Sequence, residues 1–116
     1  MPADDIFYPV EKLTKAAIVL AAHPERVKVR LVEAWHHLQT LDKRGAWAHG
    51  KLPEPYASDL QEVCENLSGR LARRRKGQRP PRPRDHILNM RIAKAERIAR
   101  AIIQIALAVR SLRGSS

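Results

Sequence analysis

DHILNMRIAKAERIARAIIQIALAVRSL, residues 85–112, is the stretch that governs the architecture. Asp85 is a good helix N-cap, and neither proline nor glycine follows it until Gly114. Leu88, Ala95, Ile98, Ala99, Ile102, Ile105, Ala106, Val109 and Leu112 form one wide apolar arc. Asn89, Arg97, Arg100, Gln104 and Ser111 make a narrow polar strip opposite. At ~1.5 Å per residue such a helix is roughly 42 Å long. The pattern predicts a long C-terminal helix, either central to a bundle or overhanging to meet another chain.

Three more helical patterns precede it, each punctuated by proline at its start. Pro9, Pro24 and Pro55 stand where a fixed φ suits a first turn. The first helix is expected over about 9–22, with Leu13, Ala16, Ala17 and Leu20 on one face. The second is expected over about 24–41, striped by Val27, Leu31, Ala34, Trp35, Leu38 and Leu41. The third is expected over about 55–74, presenting Leu60, Val63, Cys64, Leu67 and Leu71. Ser58-Asp59-Leu60-Gln61 has capping-box form, and Gly69 costs that helix up to ~1 kcal/mol relative to alanine. Strand signals are missing: no run alternates apolar and polar β-branched residues, and no Asn-Gly or Asp-Gly turn occurs. The expected fold is all-α, a single-domain four-helix bundle with a long C-terminal helix.

Two segments fall outside the helical patterns. Residues 42–54 carry Gly45, Trp47, His49, Gly50 and Pro53, enough breakers for an irregular loop. Residues 75–84, Arg-Lys-Gly-Gln-Arg-Pro-Pro-Arg-Pro-Arg, combine charge repulsion with three prolines and are expected to be an extended, exposed loop.

The chain has 116 residues, enough for one modest core, and carries a formal charge of +10. That charge is concentrated. Residues 1–69 hold 8 basic and 10 acidic side chains; residues 70–84 hold 8 basic and none acidic; residues 85–116 hold 6 basic and 2 acidic. A single basic segment is therefore attached to a nearly balanced remainder. One cysteine excludes a disulfide framework and the cysteine-rich zinc modules. The longest apolar run, Ala16–Ala22, is too short to span a bilayer, so no membrane partner is expected. The acidic start, Met-Pro-Ala-Asp-Asp, lacks the positive region of a secretory leader, and the expected location is the cytoplasm.

Clustered arginine points to phosphate. A guanidinium fork matches phosphate oxygens, and clustered cations displace the counterions condensed on nucleic acid. The expected contacts are Arg70, Arg73, Arg74, Arg75, Lys76, Arg79, Arg82 and Arg84, with Arg97 and Arg100 extending the patch. A solvated linker, or a patch answering an acidic protein, would carry the same composition. All five aromatics precede residue 57, so base stacking within the basic segment has no platform. Contacts to phosphate, blind to sequence, are what remains.

Other chemistries are weaker. A helix-turn-helix reading of the His23-Pro24 junction would rely on Arg26, Lys28 and Arg30, and its turn lacks glycine. Glu33-Ala34-Trp35-His36 has the Glu-x-x-His spacing of dinuclear sites in helical bundles, but no second such motif exists and no metal is expected. Cys64 lies on an apolar stripe and reads as a small core residue. No phosphate-binding glycine loop, His-Glu-x-x-His or Gly-x-Ser-x-Gly is present, so neither cofactor nor catalytic residues are expected. The functional expectation is a non-enzymatic helical protein binding nucleic acid. The alternative is a protein-interaction or regulatory module, acting as a homodimer or as a subunit of a larger complex through the long C-terminal helix.

Overall fold

The three-to-four spacing of Val10, Leu13, Ala16 and Leu20 gives the first helix a single apolar face, and all four side chains are buried. The computed structural model describes residues 2–44, 52–69, 77 and 82–114. Those residues are all-helical: α1 (Pro2–Ala22), a 3-10 turn (Pro24–Arg26), α2 (Val27–Arg44), α3 (Tyr56–Ser68), α4 (Pro83–Leu88) and α5 (Ile92–Gly114), with no strand among them. Nor is any helix among them long and apolar enough to cross a membrane.

Several boundaries differ from expectation, each for a local reason. α1 begins at Pro2, not near Pro9, so Pro2 takes the first-turn position and Pro9 lies inside the helix. Pro9 is fully buried, and it has no N–H to donate back to the preceding turn. Pro24 opens a 3-10 turn, so α2 starts three residues later than expected and runs on to Arg44. Ser58 is not an N-cap. It sits within the first turn of α3, where its hydroxyl donates to Glu54 Oε2 at 2.7 Å. Gly69 ends α3 in a left-handed conformation (φ 77°), and the part of the third helix expected over 70–74 lies outside the described residues.

The expected long helix over 85–112 is two helices. α4 ends at Leu88, and α5 begins at Ile92. Met90 N donates to Ile87 O at 3.1 Å, and the first α5 bond runs from Ala95 N to Arg91 O at 2.9 Å. The break lets both Ile87 and Met90 bury, while Leu88, expected on the apolar arc, is partly exposed. Asn89 caps the end of α4, its backbone N–H donating to Asp85 O at 3.0 Å. Asp85 is not the N-cap either. Pro83 takes the first turn of α4, so Pro83 and Arg84 belong to a helix instead of the loop expected over 75–84.

α1 packs against α5 and α2, α2 also meets α3, α4 and α5, and α3 meets α4 and α5. Lys28 Nζ donates to Leu88 O at 3.2 Å, which places the starts of α2 and α5 at one end of the molecule. The tight turn after Ala22 brings the end of α1 there as well. The core is built from the expected stripes: Leu31, Ala34, Leu38 and Leu41 of α2, Leu60, Cys64 and Leu67 of α3, and Ala95, Ile98, Ile102, Ile105 and Val109 of α5 are buried. Val27 and Ala17, at the stripe edges, are partly buried.

Candidate nucleic-acid interface

Arg70, Arg73, Arg74, Arg75, Lys76 and Arg79 lie outside the described residues, as do Trp47, His49 and Leu71. Arg82 and Arg84 are placed at the start of α4. Arg82 is extended (φ −65°, ψ 145°), Arg84 is helical, and both are exposed. Arg97 and Arg100 are exposed on α5, one turn apart. These four arginines thus stand on two different helices, Arg82 and Arg84 at the start of α4 and Arg97 and Arg100 on α5.

Pairing separates the two halves of the chain. Before Gly69, most described cations are engaged: Lys15 pairs with Glu11 at 3.1 Å, Arg30 Nη1 donates to both carboxylate oxygens of Glu33, and Lys28 donates to Leu88 O. Arg26, by contrast, is exposed and forms no ion pair with a described residue. Two of the three side chains a helix-turn-helix would need for reading bases, Lys28 and Arg30, are thus engaged inside the molecule. After Gly69 the picture reverses. Arg82, Arg84, Arg91, Lys94, Arg97, Arg100 and Arg110 are exposed, and none forms an ion pair with a described residue. Arg91, Lys94 and Arg110 were not among the residues read as phosphate contacts. Lys94 and Arg110 lie on α5 with Arg97, Arg91 immediately precedes that helix, and the even spacing of residues 91, 94 and 97 is the signal in the sequence.

Arg97 has a second setting. A groove of about 580 Å³ runs between α3 and α5. Its α5 side carries Lys94, Arg97, Ala101, Gln104 and Ala108, and its α3 side carries Tyr56, Asp59, Val63 and Asn66, with Glu62 beside them. Asp59 and Glu62 are exposed and make no ion pair with a described residue, so the two charged walls face the groove without closing across it. Carboxylates opposite Arg97 repel a phosphate placed in the groove. Arg100, which does not line it, is the better placed of the two for a polyanion.

The remaining candidates have internal roles. Cys64 is fully buried. Among the described residues no group of three or more histidine, cysteine or acidic side chains is arranged to hold a metal ion. Glu33, of the Glu-x-x-His pair, is held by Arg30 instead. Burial, then the cations Lys12 and Lys15 and the neighbouring His36, hold His37 below the ordinary histidine range, with Glu33 opposing. His86 Nε2 donates to Asn66 O at 2.9 Å, a contact that sequence reading did not anticipate.

No protein-family model, curated protein or solved structure matches this chain.

Proposed function

We propose that the protein is a non-enzymatic, cytoplasmic nucleic-acid-binding protein, in which a four-helix scaffold carries an arginine-rich, phosphate-contacting segment. Arg70, Arg73, Arg74, Arg75, Lys76, Arg79, Arg82 and Arg84 supply the main contacts, and Arg100 extends them. One observation carries this reading: seven exposed cations after Gly69 form no ion pair with a described residue, while the described cations before it are largely engaged. Exposed, unpaired cations keep their full capacity to release counterions from a polyanion.

Mobility-shift titrations of duplex DNA and of RNA at two salt concentrations test it. Engagement of about six phosphates on duplex DNA gives a slope of log K against log salt near −5. Replacing Arg73, Arg74 and Arg75 with glutamine lowers that slope by about three and weakens binding uniformly across sequences. Absence of binding at low salt, or binding indifferent to salt, overturns the reading.

A second reading, a homodimeric interaction module, is favoured by the open groove between α3 and α5 and by the exposure of Leu107 on the outer side of α5. The two are compatible, because a dimer presents two basic segments to one polyanion.

A further inference from the structure

From the groove between α3 and α5 we infer that a second copy of this chain docks there, about a two-fold axis running along the groove. The inference rests on the homodimer reading and not on nucleic-acid binding. Its first support is shape. On α5, Lys94, Arg97, Ala101, Gln104 and Ala108 repeat at alternating steps of three and four, and on α3 Tyr56, Asp59, Val63 and Asn66 do the same. That spacing makes the narrow seam used when helices pack at shallow angles, side chain into hole. Ala101 and Ala108 are partly exposed and small, so a partner helix approaches closely at those points.

Its second support is charge, which also selects the symmetry. The α3 wall is acidic, through Asp59 and Glu62, and the α5 wall is basic, through Lys94 and Arg97. A two-fold axis along the groove lays α3 of each copy over α5 of the other, at the same height. The acidic α3 wall of each copy then lies over the basic α5 wall of the other, twice over. A two-fold axis across the groove at the height of the charged residues would instead set α3 on α3 and α5 on α5, opposing like charges in both places. Like-charge contacts cost several kcal/mol at an interface, so complementarity admits the first arrangement and rejects the second. Neither wall forms an ion pair with a described residue, so its charges are open to those of the partner. The dimer takes Lys94 and Arg97 out of contact with other anions and leaves Arg82, Arg84 and Arg100 to the solvent.

Charge reversal tests this with the full chain. Asp59→Lys with Glu62→Lys reverses the acidic wall, and Lys94→Glu with Arg97→Glu reverses the basic one. All four residues are exposed, and circular dichroism checks that each variant keeps its helicity. Mass is then measured by light scattering or sedimentation over a concentration series up to roughly 1 mM, the weak limit of useful affinity. The wild type is expected to dimerise, and each variant alone to associate at least about tenfold more weakly. An equimolar mixture of the two variants is expected to regain the dimer. In that heterodimer one contact is native and the other is reversed on both sides, so both attract. A wild-type dimer unaffected by either variant overturns this interface and leaves the homodimer reading standing. A wild type monomeric throughout overturns both, and a mixture that stays monomeric overturns charge pairing at the groove.

Discussion

His86 Nε2 donates to the carbonyl oxygen of Asn66 at 2.9 Å, tying α4 to the last turn of α3 across 20 residues of chain. The final carbonyls of a helix have no partner within it, and a side chain from another element can supply one. Asn66 also donates through Nδ2 to Glu62 O at 2.9 Å, so the end of α3 is bonded from two directions. His86→Ala leaves the Asn66 carbonyl without that donor. The expected cost is about 1 kcal/mol, read as a lower denaturation midpoint with an unchanged slope. A midpoint equal to wild type would show that water replaces the imidazole without loss.

Gly69 closes α3 with φ at 77°, and it is buried. A β-carbon in the left-handed region clashes with the following carbonyl. Gly69→Ala is therefore expected to destabilise by about 1–2 kcal/mol, and Gly69→Asn by less, because asparagine tolerates this conformation better. Thermal melts of the two variants measure the ordering. If alanine stabilised the protein, α3 would be continuing past Gly69 and this account of its end would be wrong.

His37 makes stability depend on pH. Its folded-state pKa lies below the reference value of 6.5, because burial and the cations Lys12 and Lys15 disfavour the imidazolium, with His36 adding to the effect and Glu33 reducing it. The unfolded chain thus binds a proton more readily than the folded one. Stability is at its full value above about pH 7 and declines as the pH falls through 6.5 toward the lowered folded value. Melting temperatures measured from about pH 8 down to pH 5 should fall in that window. His37→Gln should flatten the decline, and an unchanged profile would assign the effect to other groups.

Much of the helical architecture was legible because it is local. Leu31, Ala34, Leu38 and Leu41 recur at the helical period, and a face spaced in this way buries wherever the helix packs. The same reasoning predicted the core positions of α5 from Ala95 to Val109. It failed at Asn89–Arg91, where no proline or glycine signals a stop. Burial of Met90 and Ile87 from a chain that turns outweighs the modest gain of continuing one helix. The capping box at Ser58 failed similarly, because Glu54 upstream offered its hydroxyl a carboxylate partner. Of the candidate site, composition exposed the basic stretch. It did not show which cations are already engaged.

Residue order alone is enough to specify what acts within a few residues: helical periods, proline and glycine punctuation, and the concentration of +8 charge over residues 70–84. Contacts between distant residues are another matter. Lys28 meets Leu88 across 60 residues, His86 meets Asn66 across 20, and the acidic residues of α3 line the same open groove as the basic residues of α5. Those pairings depend on how the helices are stacked and directed. The stacking in turn follows from burying every apolar stripe at once, a condition that no single segment contains.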